Sequence, residues 1–418
     1  MKNLRLRFLA QVNPPPSARI PTGGEIAFIP MEAIGENGGI AINQTKTLED
    51  LGGAFTYFEN GDVIVAKITP CFENCKGALV DGLPRGFGFG TTELHVLRSG
   101  PALNPKYLFY ITLSDQFRRL GAGAMSGAAG QKRVPADFIE DYDVTVPSRE
   151  RQRTVVDFLD RETAKVDDLI AKKALLIERL REIRRSTISR LATMGTCHTV
   201  TTRDSGIPCI GQIPDHWQLL RNKNLLSEID DRSCDGTEEL LTVSHITGVS
   251  PRRENQQVTM FMAESNEGYK RCLPDDIVIN TMWAWMGALG VSIYAGLVSP
   301  AYNVYRFKQK AIPWYFHHLF RSPQYVAEIG RYSRGVWTSR LRLYPEEFLS
   351  MTSPVPPLEE QFKIAFLIDE QNKAASKESE MVSSAISLLR EYRSALISAA
   401  VTGQLDLRQH EAQLEALA

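Results

Sequence analysis

Residues 146–160 read VPSRERQRTVVDFLD, and residues 355–369 read VPPLEEQFKIAFLID. The offset between them is 355 − 146 = 209. The same offset joins residues 180–184, LREIR, to residues 389–393, LREYR, since 389 − 180 is again 209. The segments in front of these stretches agree only in outline. One chain therefore contains two near-identical helical segments and two divergent globular ones. This favours two equivalent positions for one kind of partner and two surfaces that recognise different things.

Both repeated stretches begin a long helix. Residues 148–191 contain no Gly and no Pro, while Pro147 and Gly195 mark the two ends. At ~1.5 Å per residue, this helix would be about 65 Å long. The second helix is expected at about residues 358–401. Because a lone helix of this length is stable only if its apolar stripe is covered, we predict that the two helices form an antiparallel coiled coil. Such a pair would place the globular segments at opposite ends of a rod.

Apolar residues recur along both helices in alternating steps of three and four, the spacing of a coiled-coil seam. Subtracting 209 from the second set gives positions in the first, so both helices have the same phase. The predicted seam consists of Leu176, Leu180, Ile183, Val382, Ala385, Leu389, Tyr392 and Leu396.

The predicted fold class is α+β, with two globular mixed α/β modules separated by the two long helices and related by a pseudo-twofold internal repeat. Strands are expected at 62–66 and 276–280, and helices at 104–120 and 312–329. The predicted parts are a first module (1–146), a first helix (147–195), a linker and second module (196–354), a second helix (355–403) and a tail (404–418).

Composition is typical of a globular protein that does not cross a membrane. The chain has 418 residues, 43% of them hydrophobic and 23% charged, with a formal net charge of −1, so at least two domains are expected. Near-zero net charge gives no support for nucleic-acid binding, although acidic helices can mask basic loops in the sum. The six cysteines include no C-x-x-C pair, which favours free thiols. No stretch approaches the ~20 apolar residues of a membrane span. These observations together predict a cytoplasmic protein.

Several motifs together resemble the specificity subunit of type I DNA restriction–modification systems. They are residues 356–361, PPLEEQ, followed by residues 364–369, IAFLID, with a first copy in residues 146–160. The family's linker into its second recognition domain is similar to residues 205–217, and its end motif resembles residues 401–406, VTGQLD. The resemblance covers essentially the whole chain, and its specificity lies in the order and doubling of these pieces.

The resemblance implies that each module is a target recognition domain for one half of a split, asymmetric DNA site. It implies that the paired helices separate the modules and bind two modification (methyltransferase) subunits, with restriction (helicase–nuclease) subunits completing the complex. No cofactor is expected on this chain; S-adenosylmethionine, ATP and Mg are expected on the partner subunits. One departure is that the segment before the second module has no counterpart before the first. Two explanations stay open: the tail completes the first module, or a leading segment is missing.

Two groups of residues in each module are candidates for contact with double-stranded DNA. Gly allows close approach of the backbone, Lys and Arg meet phosphates or guanine, and Gln pairs with adenine. The alternative for each is an ordinary solvated loop, and Trp283 and Trp285 after the second strand are more often core residues. The candidates are Lys67, Thr69, Asn74, Lys76, Gln131, Lys132 and Arg133 in the first module, and Asn280, Thr281, Arg334, Trp337, Thr338, Arg340 and Arg342 in the second.

Catalytic motifs are not convincing. Residues 13–16, NPPP, lack the aromatic that follows Asn-Pro-Pro in adenine methyltransferases and stacks on a flipped base. Residues 86–90, GFGFG, lack the Gly-Lys-Ser/Thr of a P-loop. The adjacent His317 and His318 point in different directions on a helix, which disfavours a shared metal. We therefore predict a non-catalytic recognition and assembly subunit with no metal site. The alternative is a duplicated coiled-coil scaffold whose globular ends bind proteins.

Overall fold

The computed structural model describes residues 2–16, 23–50, 55–128, 130–197, 199–254, 265–337 and 340–407. The strands of the first module are β1 (Lys2–Arg5), β2 (Ala10–Val12), β3 (Ile26–Ile29), β4 (Thr45–Lys46), β5 (Thr56–Glu59), β6 (Val63–Ala66), β7 (Gly77–Leu79), β8 (Phe87–Gly90), β9 (Leu94–Ser99) and β10 (Asp143–Val146). The later strands are β11 (Thr202–Asp204), β12 (Gln212–Pro214), β13 (Gln218–Arg221), β14 (Leu226–Ile229), β15 (Leu241–Ser244), β16 (Gly248–Pro251), β17 (Lys270–Cys272), β18 (Ile277–Asn280), β19 (Leu289–Val291), β20 (Gly296–Val298), β21 (Tyr302–Phe307) and β22 (Thr352–Val355).

The helices are α1 (Pro105–Leu113), α2 (Asp115–Gly123), α3 (Ala136–Glu140), α4 (Arg149–Met194), α5 (Asn222–Leu225), α6 (Pro313–Phe320), α7 (Pro323–Tyr332), α8 (Pro345–Ser350) and α9 (Leu358–Val401). Short 3₁₀ helices occupy Leu6–Phe8, Met31–Ala33, Arg252–Glu254 and Ala284–Met286. No helix in the described parts of the chain has both the length and the apolar character needed to cross a bilayer. The mixture of short strands and helices with two helices of more than forty residues confirms the predicted fold class.

The chain divides into two compact units. Unit 1 comprises the described residues of Met1–Ala174 and Ser383–Ala418, and unit 2 those of Leu175–Val382. Each long helix therefore contributes to both units. Because α4 and α9 each belong to both units, this division does not test the predicted module boundaries, which stay a prediction.

Each module is built on the same antiparallel sheet. Its strand order is β2-β9-β6-β7 in unit 1 and β14-β21-β18-β19 in unit 2. The equivalent inner strands β6 and β18, called the central strands below, are fully buried, as expected from their mostly apolar sequences. Unit 1 adds a mixed sheet β4-β3-β8-β5, whereas unit 2 adds the two-stranded pairs β15-β16 and β17-β20. The modules thus share a framework and differ in what is added to it.

The first strand of each module pairs antiparallel with its last. Lys2 lies opposite Val146 in the β1-β10 pair, and Gln218 lies opposite Val355 in the β13-β22 pair. Each module consequently begins and ends at neighbouring points, directly in front of a long helix.

The long helices run antiparallel within each unit. In unit 1 the start of α4 shares a core with the end of α9, through residues such as Leu159 and Ile397. In unit 2 the end of α4 shares a core with the start of α9, through Leu191 and Ile364. The first residues of the tail also join the unit 1 core, where Leu407 is buried and Leu405 packs beside it.

The predicted seam is wrong by one residue at three positions. Leu176, Ile183 and Tyr392 are 45%, 62% and 40% exposed. The neighbouring Ile177 and Arg184 are partly covered, and Arg393 is buried. Because three apolar residues stand in a row at 175–177, spacing alone could not select the covered one, and the arginines were not counted as seam residues. Of the other predicted positions, Leu396 is buried, and Leu180, Val382, Ala385 and Leu389 are partly covered.

Polar side chains occupy two of these covered positions. Arg393 donates to both carboxylate oxygens of Asp167, at 2.9 and 3.1 Å. Its repeat equivalent Arg184 (393 − 184 = 209) donates to Oδ1 of Asn372 at 2.8 Å. The long helices are therefore joined by hydrogen bonds from equivalent arginines as well as by apolar contacts.

The predicted single helices at 104–120 and 312–329 are each two helices. Ser114 and Ser322 are the N-caps of α2 and α7, and their side chains accept from the backbone N–H of Phe117 and Tyr325. A serine at an N-cap satisfies a donor that a continuous helix would satisfy itself. In the second segment, Pro323 at the start of α7 was a sequence signal for the break that the prediction of one helix passed over.

The glutamine of the repeated signature holds each module to its long helix. Gln152 accepts from the backbone N–H of Asn104 at 2.7 Å and donates to the carbonyls of Ala102 and Pro147, both at 3.0 Å. Gln361 likewise accepts from Ile312 N–H at 3.0 Å and donates to Pro356 O at 2.8 Å. Both glutamines are buried, so these bonds form away from water.

Two tyrosines add a second repeated contact. The hydroxyl of Tyr107 donates to the carbonyl of Val401 at 2.9 Å. That of Tyr315 lies 3.0 Å from the carbonyl of Pro354 and 3.2 Å from that of Ala192, which share its proton. Since 401 − 192 = 209, Val401 and Ala192 are repeat equivalents. Each tyrosine lies in one repeat and bonds to the long helix of the other.

Candidate nucleic-acid interface

In the first module, two sequence-separated candidate loops lie together. The loop after β6 is joined to residues 126–134 by backbone hydrogen bonds from Val134 N–H to Lys67 O at 2.9 Å and from Thr69 N–H to Lys132 O at 3.0 Å. A bridge between Ser126 and Arg133 closes the second loop. The candidates of this module therefore form one surface at the end of the central strand.

The second module repeats this arrangement with other residues. The N–H of Leu343 donates to the carbonyl of Thr281, directly after β18, at 3.0 Å. Arg334 and Arg342 form the bridge that closes the second loop, with two backbone hydrogen bonds of 2.9 Å. Leu343 is the repeat equivalent of Val134 (343 − 134 = 209), so the framework places both surfaces at the same point of the fold.

At the other end of β6 and β18, a buried aspartate is paired with an arginine that is still partly exposed. Arg98 donates to both carboxylate oxygens of Asp62 at 2.7 Å. Arg306 does the same to Asp276 at 2.7 and 2.8 Å. Both aspartates are almost fully buried, and a bidentate pair satisfies the carboxylate that burial would otherwise destabilise.

Two further arginines, Arg118 (buried) and Arg321 (partly covered), support the loops after β6 and β18, and sequence reasoning missed both. Arg118 donates to Phe72 O at 2.7 Å and to Thr112 O at 2.6 Å, and burial lowers its pKa to about 10. Arg321 donates to Leu289 O at 2.7 Å and to four further carbonyls of the segments 244–246 and 287–289. Their acceptors are all backbone carbonyls, and most are distant in sequence, so no motif could signal these contacts.

The candidates of the first module differ in availability. Gln131 and Lys132 are exposed, and Lys67 and Thr69 are partly covered. Arg133 forms a bidentate pair with Glu93, at 2.8 and 2.9 Å, and hydrogen bonds from Arg133 lower the pKa of the Glu93 carboxyl. Most of the charge of Arg133 is thus already compensated.

Asn74 and Lys76 are engaged with the segment 31–36. The amide of Asn74 donates to Glu36 Oε1 at 3.2 Å, and Lys76 Nζ donates to Met31 O at 3.1 Å. Asn74 is exposed and Lys76 partly covered. Both residues hold the loop in place, and a DNA contact by either would compete with these bonds.

Asn280 does not belong to the exposed surface. It is 5% exposed, and its amide donates to Tyr302 Oη at 3.1 Å and to Val243 O at 3.4 Å. The prediction placed it at a strand exit, but it is the last residue of β18 and points into the core. The next residue, Thr281, is partly covered and donates to Ala301 O at 2.9 Å.

The arginine-rich loop of the second module is highly exposed. Trp337 is 69% exposed, and Arg334, Arg340 and Arg342 are all exposed. Arg334 is ion-paired with Glu347. Among the residues that the structure describes, Arg340 and Arg342 have no ion-pair partner. Thr338 lies outside the described residues.

Two exposed apolar side chains on this surface were missed, and a third was considered as a candidate but favoured as core. Val336 is 92% exposed, Met286 is 42% exposed, and Trp283, which the sequence favoured as core, is 50% exposed. Trp285 is partly covered and donates to Met282 O at 3.1 Å. The available signal was Val336-Trp337 next to Gly335, an apolar pair between arginines at a turn.

No three His, Cys, Asp or Glu side chains within the described ranges come together in a way that could hold a metal ion. The candidate surfaces thus consist of basic, amide, hydroxyl and apolar groups carried on matching frameworks.

Comparison with known proteins points to the same family as the repeated motifs. No protein-family model matches the chain. Over 134 residues, the chain is 43% identical to the specificity subunit of the type I restriction enzyme EcoAI and 40% identical to that of EcoEI, both from Escherichia coli. The matched part is 32% of this chain and 23% of each relative.

Solved structures match almost the whole length. The HsdS subunit from Thermoanaerobacter tengcongensis aligns over 97% of both chains with a TM-score of 0.52 and 16% identity. The chain has the fold of an HsdS subunit. A structure described for the assembly and conformational transition of the type I R-M system aligns better still, with a TM-score of 0.69 and 17% identity over 97% of this chain and 98% of that one. These comparisons confirm the resemblance to type I specificity subunits that the repeated motifs indicated.

Proposed function

We propose that this chain is the DNA-recognition subunit of a type I restriction–modification complex. Its two modules would bind the two unlike halves of an asymmetric, bipartite target in double-stranded DNA. The observation that carries the proposal is the repetition of the framework without repetition of the surface. The strand order, buried aspartate–arginine pair and glutamine contact recur, whereas the loops after β6 and β18 do not.

The repeated helices support a matching proposal for partners. Two copies of one modification subunit would bind the equivalent long helices, and restriction subunits would complete the complex. The chemistry would belong to those partners, with S-adenosylmethionine on the modification subunit and ATP and Mg on the restriction subunit. The complex would act in the cytoplasm, where the host DNA is.

Genome-wide mapping of methyladenine in the host, with and without this gene, tests the proposal. We expect one bipartite motif to lose methylation when the gene is deleted and to regain it on complementation. An unchanged methylation map, combined with co-purification of unrelated proteins through the globular modules, would instead support a coiled-coil scaffold.

A further inference from the structure

The second module carries an apolar tip on its candidate surface. Val336 and Trp337 are 92% and 69% exposed, although single exposed apolar residues are common on protein surfaces. The loop below the tip is fixed by the paired backbone bonds between Arg334 and Arg342, and Trp337 O accepts from Arg340 N–H at 2.8 Å. A Cβ on Gly335 would lie 2.7 Å from Arg340 O, so only glycine fits this closed turn. The described residues of this loop thus present Val336 and Trp337 at its exposed end.

The loop that carries the tip also contains exposed arginines. Arg340 and Arg342 are exposed and lack an ion-pair partner among the residues described, while the charge of Arg334 is compensated by Glu347. An apolar tip beside uncompensated arginines is complementary to a ligand with an anionic outside and an apolar, stacked interior. Duplex DNA has this chemistry, because phosphates flank the bases and every base has a face on which an aromatic ring can stack.

The neighbouring loop extends the apolar character. Trp283 and Met286 are exposed on the segment that follows β18, and this segment is joined to the arginine-rich loop by the hydrogen bond between Leu343 and Thr281. The 3₁₀ helix that contains Met286 also packs on α7, which leads directly into the tip loop. The apolar residues thus belong to one surface.

The first module has no such tip. Its equivalent loop, residues 126–133, reads SGAAGQKR, and its described exposed residues include Gln131 and Lys132. These groups can form hydrogen bonds and meet phosphates, but none can stack on a base as an aromatic ring does. The two modules therefore differ in the kind of contact they offer.

We propose that Trp337 inserts at the second module's half-site and stacks on a base that it displaces from its neighbour, while Arg340 and Arg342 bind the flanking phosphates. The inference rests on the proposed DNA-recognition function and adds that this chain itself unstacks bases in only one half of the target. Readout of the other half by the first module leaves the bases stacked.

Fluorescence of 2-aminopurine, which rises when the base is unstacked, tests this. The full chain, assembled with its modification subunit, is titrated with duplexes that contain the mapped motif and carry 2-aminopurine at successive positions of either half, leaving out the methylated adenines, which the modification subunit would itself flip. We expect an increase of several-fold at one position of the second module's half and none in the other half. Trp337→Ala should abolish the increase and weaken binding about tenfold, and Trp337→Phe should retain part of both.

Ile293→Ala is the matched control, because Ile293 is 56% exposed in the same module but lies at the far end of the β18-β19 hairpin. It should behave as wild type. Two outcomes would overturn the inference: wild-type affinity of Trp337→Ala, or loss of affinity with no fluorescence change at any position. If Trp337→Ala lost binding to the modification subunit but kept binding to DNA, the tip would be a protein contact, and the inference would also be overturned. Failure of the wild-type complex to prefer the motif over a scrambled duplex would instead contradict the proposed function.

Discussion

At the residue scale, the signature glutamines act as structural residues. Gln152 and Gln361 are buried, and each satisfies the backbone at the start of a module helix and at the start of a long helix. A repeated motif on a predicted DNA-binding protein invites a functional interpretation. The contacts show that these two glutamines of the repeated sequence form the joint between module and helix.

We expect Gln361→Ala to lower the free energy of unfolding by about 1–3 kcal/mol, because it leaves the buried Ile312 N–H and Pro356 carbonyl without partners. Gln152→Ala should have a similar effect in unit 1. Chemical denaturation measures both. Lys363→Ala and Arg153→Ala, which change exposed neighbours, are the controls. If the glutamine and control variants were equally stable, the proposed role of the joint would be wrong.

Arg340 provides a residue-scale prediction for binding. Since its charge is exposed and lacks an ion-pair partner in the described structure, Arg340→Ala should weaken DNA binding and reduce the slope of log K against log salt by about 1. Titrations at several salt concentrations measure the slope. Lys172→Ala removes an equal charge from α4, where Lys172 is paired with Asp168, and should leave the slope unchanged. The same slope for Arg340→Ala and wild type would remove Arg340 from the interface.

At the element scale, the long helices show where a periodic pattern is informative and where it is not. Absence of Gly and Pro predicted their existence and extent closely. It could not decide between Leu176 and Ile177, since adjacent apolar residues satisfy the spacing equally well. Nor could it assign Arg393 to the covered side, because a buried arginine becomes plausible only when Asp167 on the other helix is known to face it.

The seam correction predicts unequal effects of adjacent substitutions. Ile177→Gln should destabilise the chain by about 1–2 kcal/mol through loss of packing between the helices, while Leu176→Gln should change its stability by less than about 0.5 kcal/mol. Thermal or denaturant unfolding of the chain without partners compares the two. A larger effect of Leu176→Gln would restore the predicted phase.

The candidate surface was predictable only in part, for a related reason. Sequence placed polar residues after the two central strands and in two later loops, and the structure brings each pair of loops together. The sequence could not distinguish Asn280 from Thr281, because a one-residue difference at a strand end decides whether a side chain faces the core. It also could not foresee that Arg133 faces Glu93, forty residues earlier in the chain.

At the scale of the whole molecule, the pairing of β1 with β10 and of β13 with β22 makes each module replaceable. If the proposed function holds, exchange of residues 209–354 for the corresponding segment of a type I specificity subunit should change one half of the methylated sequence and leave the other half intact. Methylation mapping of the hybrid gives the answer. Changes in both halves would show that the modules do not read DNA independently.

The reciprocal tyrosine contacts bear on what a truncated gene product could do. Tyr107 donates to a carbonyl nearly three hundred residues later, and Tyr315, which also bonds to Pro354 O of its own repeat, reaches a carbonyl in the earlier one. A frameshift near the middle of the gene would leave each fragment with an open hydrophobic groove where the missing helix belongs. Two such fragments, produced together in one cell, would each supply what the other lacks, and could rebuild the split protein without a peptide bond between them.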